Sequence, residues 1–337
     1  GATKVAALNN TSVSALTTDQ VSHLTNAQVA GLAETQVKAL TTKQLVALTT
    51  DQAHSLTSIQ VSALSGTQVA SLATDDLAAL TTSAIAALNA TQVKALTTAQ
   101  LVALTTDQVD KLGTAQVAAL SSTQVAAIET RDLAKFTTEQ IQSLTTSAVS
   151  ALTTAQLSKL STDQISALKT EQVRALTTKQ VMALTTDQAA QLSTAQVAAL
   201  STAQVRALET ADVAVLNAAN FAALSTAQVH AMTNGQLGAM TTGQVSQLGA
   251  SQLSVLDEVQ LAKLGADKFA IMSNEQIKAL TTAQVGALTD TQVKALTTSQ
   301  VNAMGTTQLA ALTTTQVAGM EVADVAALTS TQANAMT

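Results

Sequence analysis

Every eighth residue of the chain is large and apolar, from Leu8 to Met336, with no insertion or slip. Of these 42 positions 34 are Leu, six are Met, and the remaining two are Ile128 and Phe136. Calling this position 8, position 5 is always Val, Leu, Ile, Ala or Phe, and position 7 is usually Ala. Positions 5 and 8 lie three apart and share a helix face. Position 1 is Thr, Ser, Asn or Asp in 31 octads, and position 4 is Gln in 32. That spacing is a capping box, in which the position 1 oxygen accepts from the N3 backbone and Gln at N3 reaches back to the N-cap N–H. Each octad, such as TTAQLVAL at 97–104, is thus expected to form a helix of about six residues. Positions 3 and 6 carry Lys38, Lys94, Arg174, Arg206 and His230 and should face solvent. Position 7, with Lys111, Lys135, Lys159 and Lys263, should sit at the edge of the buried face.

One long helix is excluded by arithmetic. Eight residues leave the apolar stripe about 80° adrift per repeat, so over the whole chain it would circle the rod and could not be buried. A β-solenoid is disfavoured because positions 7 and 8 are both apolar, which spoils alternation. Ala, Leu and Gln also have good helix propensity. Helices this short are unstable alone and must pack on neighbours. An antiparallel hairpin needs a loop of about 2–5 residues, which the octad lacks, so consecutive helices should meet at corners. The expected fold is an all-α solenoid, a superhelix of very short capped helices, one per octad. Three or four per coil would make about 24–32 residues per turn and a rod of about 100–140 Å at ordinary helix spacing. The register predicts one continuous array over 1–337 with no internal domain boundary.

Composition narrows the function classes. Apolar residues make up 47 %, chiefly Ala, Leu and Val, with three Phe and no Trp, Tyr, Pro or Cys. The net charge is −6, and the 16 Lys and Arg stand singly, so no basic stripe tracks phosphates and nucleic acid is not an expected partner. Apolar runs such as AIAAL at 84–88 fall far short of the roughly 20 residues that span a bilayer. No membrane insertion is expected, and the opening residues do not read as a signal peptide. The end octads GATKVAAL and TSTQANAM look like interior repeats. The chain therefore reads as an excerpt of a longer array or as a unit that stacks on itself.

Some octads break the pattern. Glu129 with Asp132, Glu209 with Asp212, and Glu321 with Asp324 replace the box residues in concert, and Asp76 follows Asp75 at the same place. Their separations are too irregular for a repeated calcium site, and they read as alternative caps facing the positive helix end. His23, His54 and His230 are far apart with no second ligand at a useful spacing, so no metal site is expected. Met232, Met240 and Met304 read as core fillers. The least regular stretch, 249–272, holds Asp257, Glu258, Lys263, Asp267 and Lys268. No nucleophile elbow or phosphate loop appears, so no catalytic residue, cofactor or enzymatic activity is expected.

LTTDQV at 104–109 resembles the opening of the DNA-reading repeats of TAL effectors. The likeness ends there, since the base-reading pair and second helix are absent; it reflects shared helix-start chemistry. Over all 42 octads, from VAAL at 5–8 to Met336, the chain resembles the octapeptide arrays of very large bacterial surface or secreted proteins of the adhesin and haem-utilisation type. The resemblance implies a stalk or spacer outside the cell or at its surface, and it does not imply haem, for which no axial ligand pair is placed. A self-assembling filament subunit stacking end to end, or a scaffold for a protein or glycan partner, are the alternatives.

Overall fold

The computed structural model describes residues 2–336; Gly1, the opening position of the first octad, and Thr337 lie outside the described residues. Among the described residues the chain forms 42 helices, one for each octad, and no strand. The helices are four to six residues long. They fall into two compact units, Gly1–Leu176 and Thr177–Thr337.

The octad 89–96 shows how the sequence makes one helix. Asn89 is extended (φ −82°, ψ 168°), and its side chain accepts from the Gln92 N–H at 3.0 Å. Gln92 Oε1 accepts from the Asn89 N–H at 2.7 Å, completing the box. The helix Ala90–Ala95 follows, and it closes on a 3.2 Å bond from the Leu96 N–H to the Val93 carbonyl. Leu96 (φ −55°, ψ 135°) and Thr97 (φ −72°, ψ 158°) are then both extended, and these two residues make the corner. No described residue has a positive φ. The corner therefore needs no glycine, which explains why Gly and Pro have no fixed place in the octad.

Helices three octads apart lie side by side within each unit, as Gly66–Ser71 does with Ala90–Ala95. There a Cβ built on Gly66 would come within 3.0 Å of the Ala95 Cβ, so small residues at position 7 set how closely turns approach. Bonds between turns span 25 residues at their shortest, from His54 Nδ1 to the Ala79 carbonyl. At their longest they span 31, from Gln92 Nε2 to the Val61 carbonyl. One turn thus takes more than three octads and fewer than four, inside the range expected from the corner argument. Positions 5 and 8 fill the interior: Val93, Leu101 and Leu104 are all at most 2 % exposed. Positions 3 and 6 mostly face solvent; position 7 is half-buried where it holds an alanine such as Ala95 or Ala119, and exposed at Lys111, Lys135, Lys159 and Lys263. Met232, Met240 and Met304 are buried core residues, as the pattern predicts.

Candidate functional site

The distinctive polar feature of the fold is the residue at position 4. Gln92 is 1 % exposed, although a capping residue in a first turn would ordinarily be wet. While Oε1 closes the box, Nε2 donates across to the previous turn, to the Val61 carbonyl at 2.8 Å and the Leu64 carbonyl at 2.7 Å. The last carbonyls of any helix lack intrahelical partners, and here the glutamine of the next turn supplies them. The pattern recurs in the second unit, where Gln244 donates to the Val213 and Leu216 carbonyls at 2.8 Å each. A ladder of buried amides thus ties turn to turn in each unit.

The capping box was legible in the sequence, but this second role was not. A signal for it was present. Glu and Gln serve equally well at N3 of a capping box, yet none of the 42 octads uses Glu there. The preference is for an amide that can donate, which a cap alone does not explain.

Where Gln is absent, the rung is rebuilt from other chemistry. Asn220 is 1 % exposed; its Nδ2 donates to the Leu192 carbonyl at 3.2 Å, and its Oδ1 accepts from Thr194 Oγ1 at 3.0 Å. Asp132 and Asp324 accept from the hydroxyls of Thr106 and Thr298 at 2.6 and 2.8 Å. Thr50 and Thr186 hold the same place relative to Asp76 and Asp212, and their hydroxyls favour the ionised carboxyls. In each of these five cases a position 2 threonine, 26 residues earlier, meets the short side chain. Lys268, 8 % exposed, points its Nζ at the Gly238 carbonyl, 3.5 Å away. Ala84 and Ala148 lack a side-chain donor altogether. Restoring the amide with Ala84→Gln is expected to stabilise the first unit by about 1 kcal/mol, read from the midpoint of urea denaturation.

The carboxylate octads place Asp132, Asp212 and Asp324 in the first turn of their helices, as the sequence predicts, but the aspartates also reach between turns. Glu129, Glu209 and Glu321 stand at the N-cap, but none makes a side-chain cap bond. Their partners Asp132, Asp212 and Asp324 are at most 3 % exposed and belong to the ladder between turns. Arg131 bridges Glu129 at 2.7 Å and stands 3.7 Å from Asp132. Burial raises the carboxyl pKa of Asp76, with Asp75 adding to the rise and the Thr50 hydroxyl opposing it. Burial, then Glu209, raises that of Asp212, against the Thr186 hydroxyl and the Glu209 backbone N–H. The exposed Glu139 and Glu171 are held low by their own backbone N–H groups and neighbouring Thr hydroxyls.

The three histidines are not brought together. His23 bonds the Asp19 carbonyl at 2.7 Å, while His54 and His230 bond the Ala79 and Val255 carbonyls at 2.7 and 2.8 Å. Among the described residues no group of three His, Cys, Asp or Glu side chains could hold a metal ion. Asp257 caps its helix and pairs with Gln260. Shallow grooves run between turns, one lined by Arg206, His230, Asn234 and Asp257. Two others repeat the same octad positions, Lys38, Thr41 and Thr67 in one unit and Lys278, Thr281 and Thr307 in the other. No helix among the described residues is long and apolar enough to cross a membrane.

The family described as ALTTAQ repeat matches the chain in nine stretches, residues 34–66, 69–106, 101–127, 125–162, 158–194, 205–242, 262–298, 292–322 and 301–337. Comparison with curated proteins found no match.

Proposed function

Because the chain belongs to the ALTTAQ repeat family, we propose that it serves as a non-enzymatic structural array, an extended spacer or stalk in a bacterial surface or secreted protein. The observation that carries this reading is the fate of the buried polar side chains. Glutamine after glutamine at position 4 is spent on its own cap and on the carbonyls of the preceding turn, leaving those amides no hydrogen-bonding capacity for substrate. Exposed groups such as Lys38, Thr41 and Thr67 recur in shallow grooves without an activating neighbour. A spacer needs what this fold supplies, a uniform interior and a surface of neutral hydroxyls and amides.

The second reading is end-to-end stacking of such arrays. Small-angle X-ray scattering across a concentration series separates the two. A spacer keeps the same maximum dimension at every concentration. End-to-end stacking makes that dimension grow at constant cross-section, and a coil-like curve would refute both.

A further inference from the structure

Asp212 is 1 % exposed, and among the buried side-chain oxygens and nitrogens of the described residues its Oδ2 is the atom without a hydrogen-bond partner. Eight residues later the chain carries its own control. Asn220 occupies the same octad position, accepts from Thr194, which stands where Thr186 stands for Asp212, and uses its amide nitrogen to bond the Leu192 carbonyl. Asp212 differs by holding an oxygen where Asn220 holds an NH2 group. The frame puts the Val181 and Leu184 carbonyls, 31 and 28 residues earlier, in the place that other rungs fill with an amide donor. An ionised carboxylate there sets oxygen against oxygen in a buried site, which costs free energy.

We infer that Asp212 is a proton-operated rung of the second unit. With the proton on Oδ2 it donates to the preceding turn as Asn220 does; without it the stacking of that turn loosens. The surrounding charges do not replace the proton. Glu209 at the head of the same helix is negative and raises the cost of ionisation. The helix Thr186–Ala190, packed on one side, contributes the Thr186 hydroxyl and the exposed Asp187. The helix Asn234–Ala239 on the other side has no titratable side chain. Lys179 on the helix Thr178–Met182 and Arg206 on Thr202–Ala207 are exposed.

Burial and Glu209 raise the pKa of Asp212 above its ordinary 3.8. The stabilisation is therefore complete below 3.8, where folded and unfolded forms are both protonated, and is lost as pH rises through the folded value. Asp76 in the first unit shifts in the same direction and adds to the trend. The test is thermal denaturation of the full chain from pH 3 to 8, for wild type, D212N and the control D187N, with carbon-13 NMR of labelled aspartate. D212N should melt about 2–4 °C above wild type at pH 7, with the gap closing as wild type is acidified, while D187N follows wild type. The Asp212 carboxyl should titrate above 3.8. D212Q, which restores the commonest residue of the ladder, guards against a fault peculiar to asparagine. The inference is overturned if Asp212 titrates at or below the ordinary value, or if neither amide variant gains stability at pH 7.

Discussion

Gln92→Glu is expected to lower the stability of the first unit by about 3–5 kcal/mol at neutral pH and to recover part of that loss on acidification. Glutamate keeps the capping box, so a residue that only capped its helix would lose almost nothing. The buried side chain must also donate to the Val61 and Leu64 carbonyls, and a carboxylate meets both as an uncompensated charge. Its pKa rises with burial, so the penalty is present at pH 7 and shrinks as the carboxyl takes up a proton and becomes a donor again. Gln92→Leu should be milder, about 2–3 kcal/mol, because it leaves carbonyls unsatisfied without burying a charge. Urea denaturation at pH 7 and pH 4, followed by circular dichroism, gives both numbers. Equal stability of the Glu variant and wild type would reduce the ladder to a row of caps.

The other large effect belongs to the core. Phe269 is fully buried at position 5, a place held elsewhere mostly by valine and leucine. Phe269→Ala is expected to cost about 3–5 kcal/mol, the transfer term plus the cavity it leaves. Phe269→Leu, which copies Leu253 and Leu261 of the preceding octads, should cost less than about 1.5 kcal/mol. Since each helix packs on those three octads away, hydrogen exchange should show the protection loss concentrated in the turns that touch 266–270. Uniform loss across the second unit would mean that cooperativity spreads farther than nearest-neighbour packing implies.

The fold was legible because its determinants are local. Thr97 and Gln100 define a cap within four residues, Leu101 and Leu104 define a buried face within the same octad, and the drift of the stripe forbids continuing the helix. The number of octads per turn was bracketed from the lack of room for a hairpin. The ladder is different in kind. Gln92 meets Val61 and Leu64 only once the coil has brought residues 31 and 28 apart together, and nothing inside one octad encodes that meeting. For the same reason Asp132, Asp212 and Asp324 stood out in the sequence as departures but were read as caps. Their threonine partners Thr106, Thr186 and Thr298 are indistinguishable, within their own octads, from other position 2 threonines that face water.

The short reach of the bonds between turns also governs how such a chain acquires its structure. Interactions that join residues no more than 31 apart impose a small, constant loop-closure entropy at every step, and none waits for a distant segment. Once the first half of a fifth octad has left a ribosome or a translocation channel, the first rung can close, as Gln36 does on Val5 and Leu8, and each further octad adds itself to a finished surface. Growth of this kind exposes little apolar area at any moment, whatever the final length, and so limits the aggregation that long chains risk while incomplete. A large array can then fold from its leading end as it emerges, at the pace of its own synthesis.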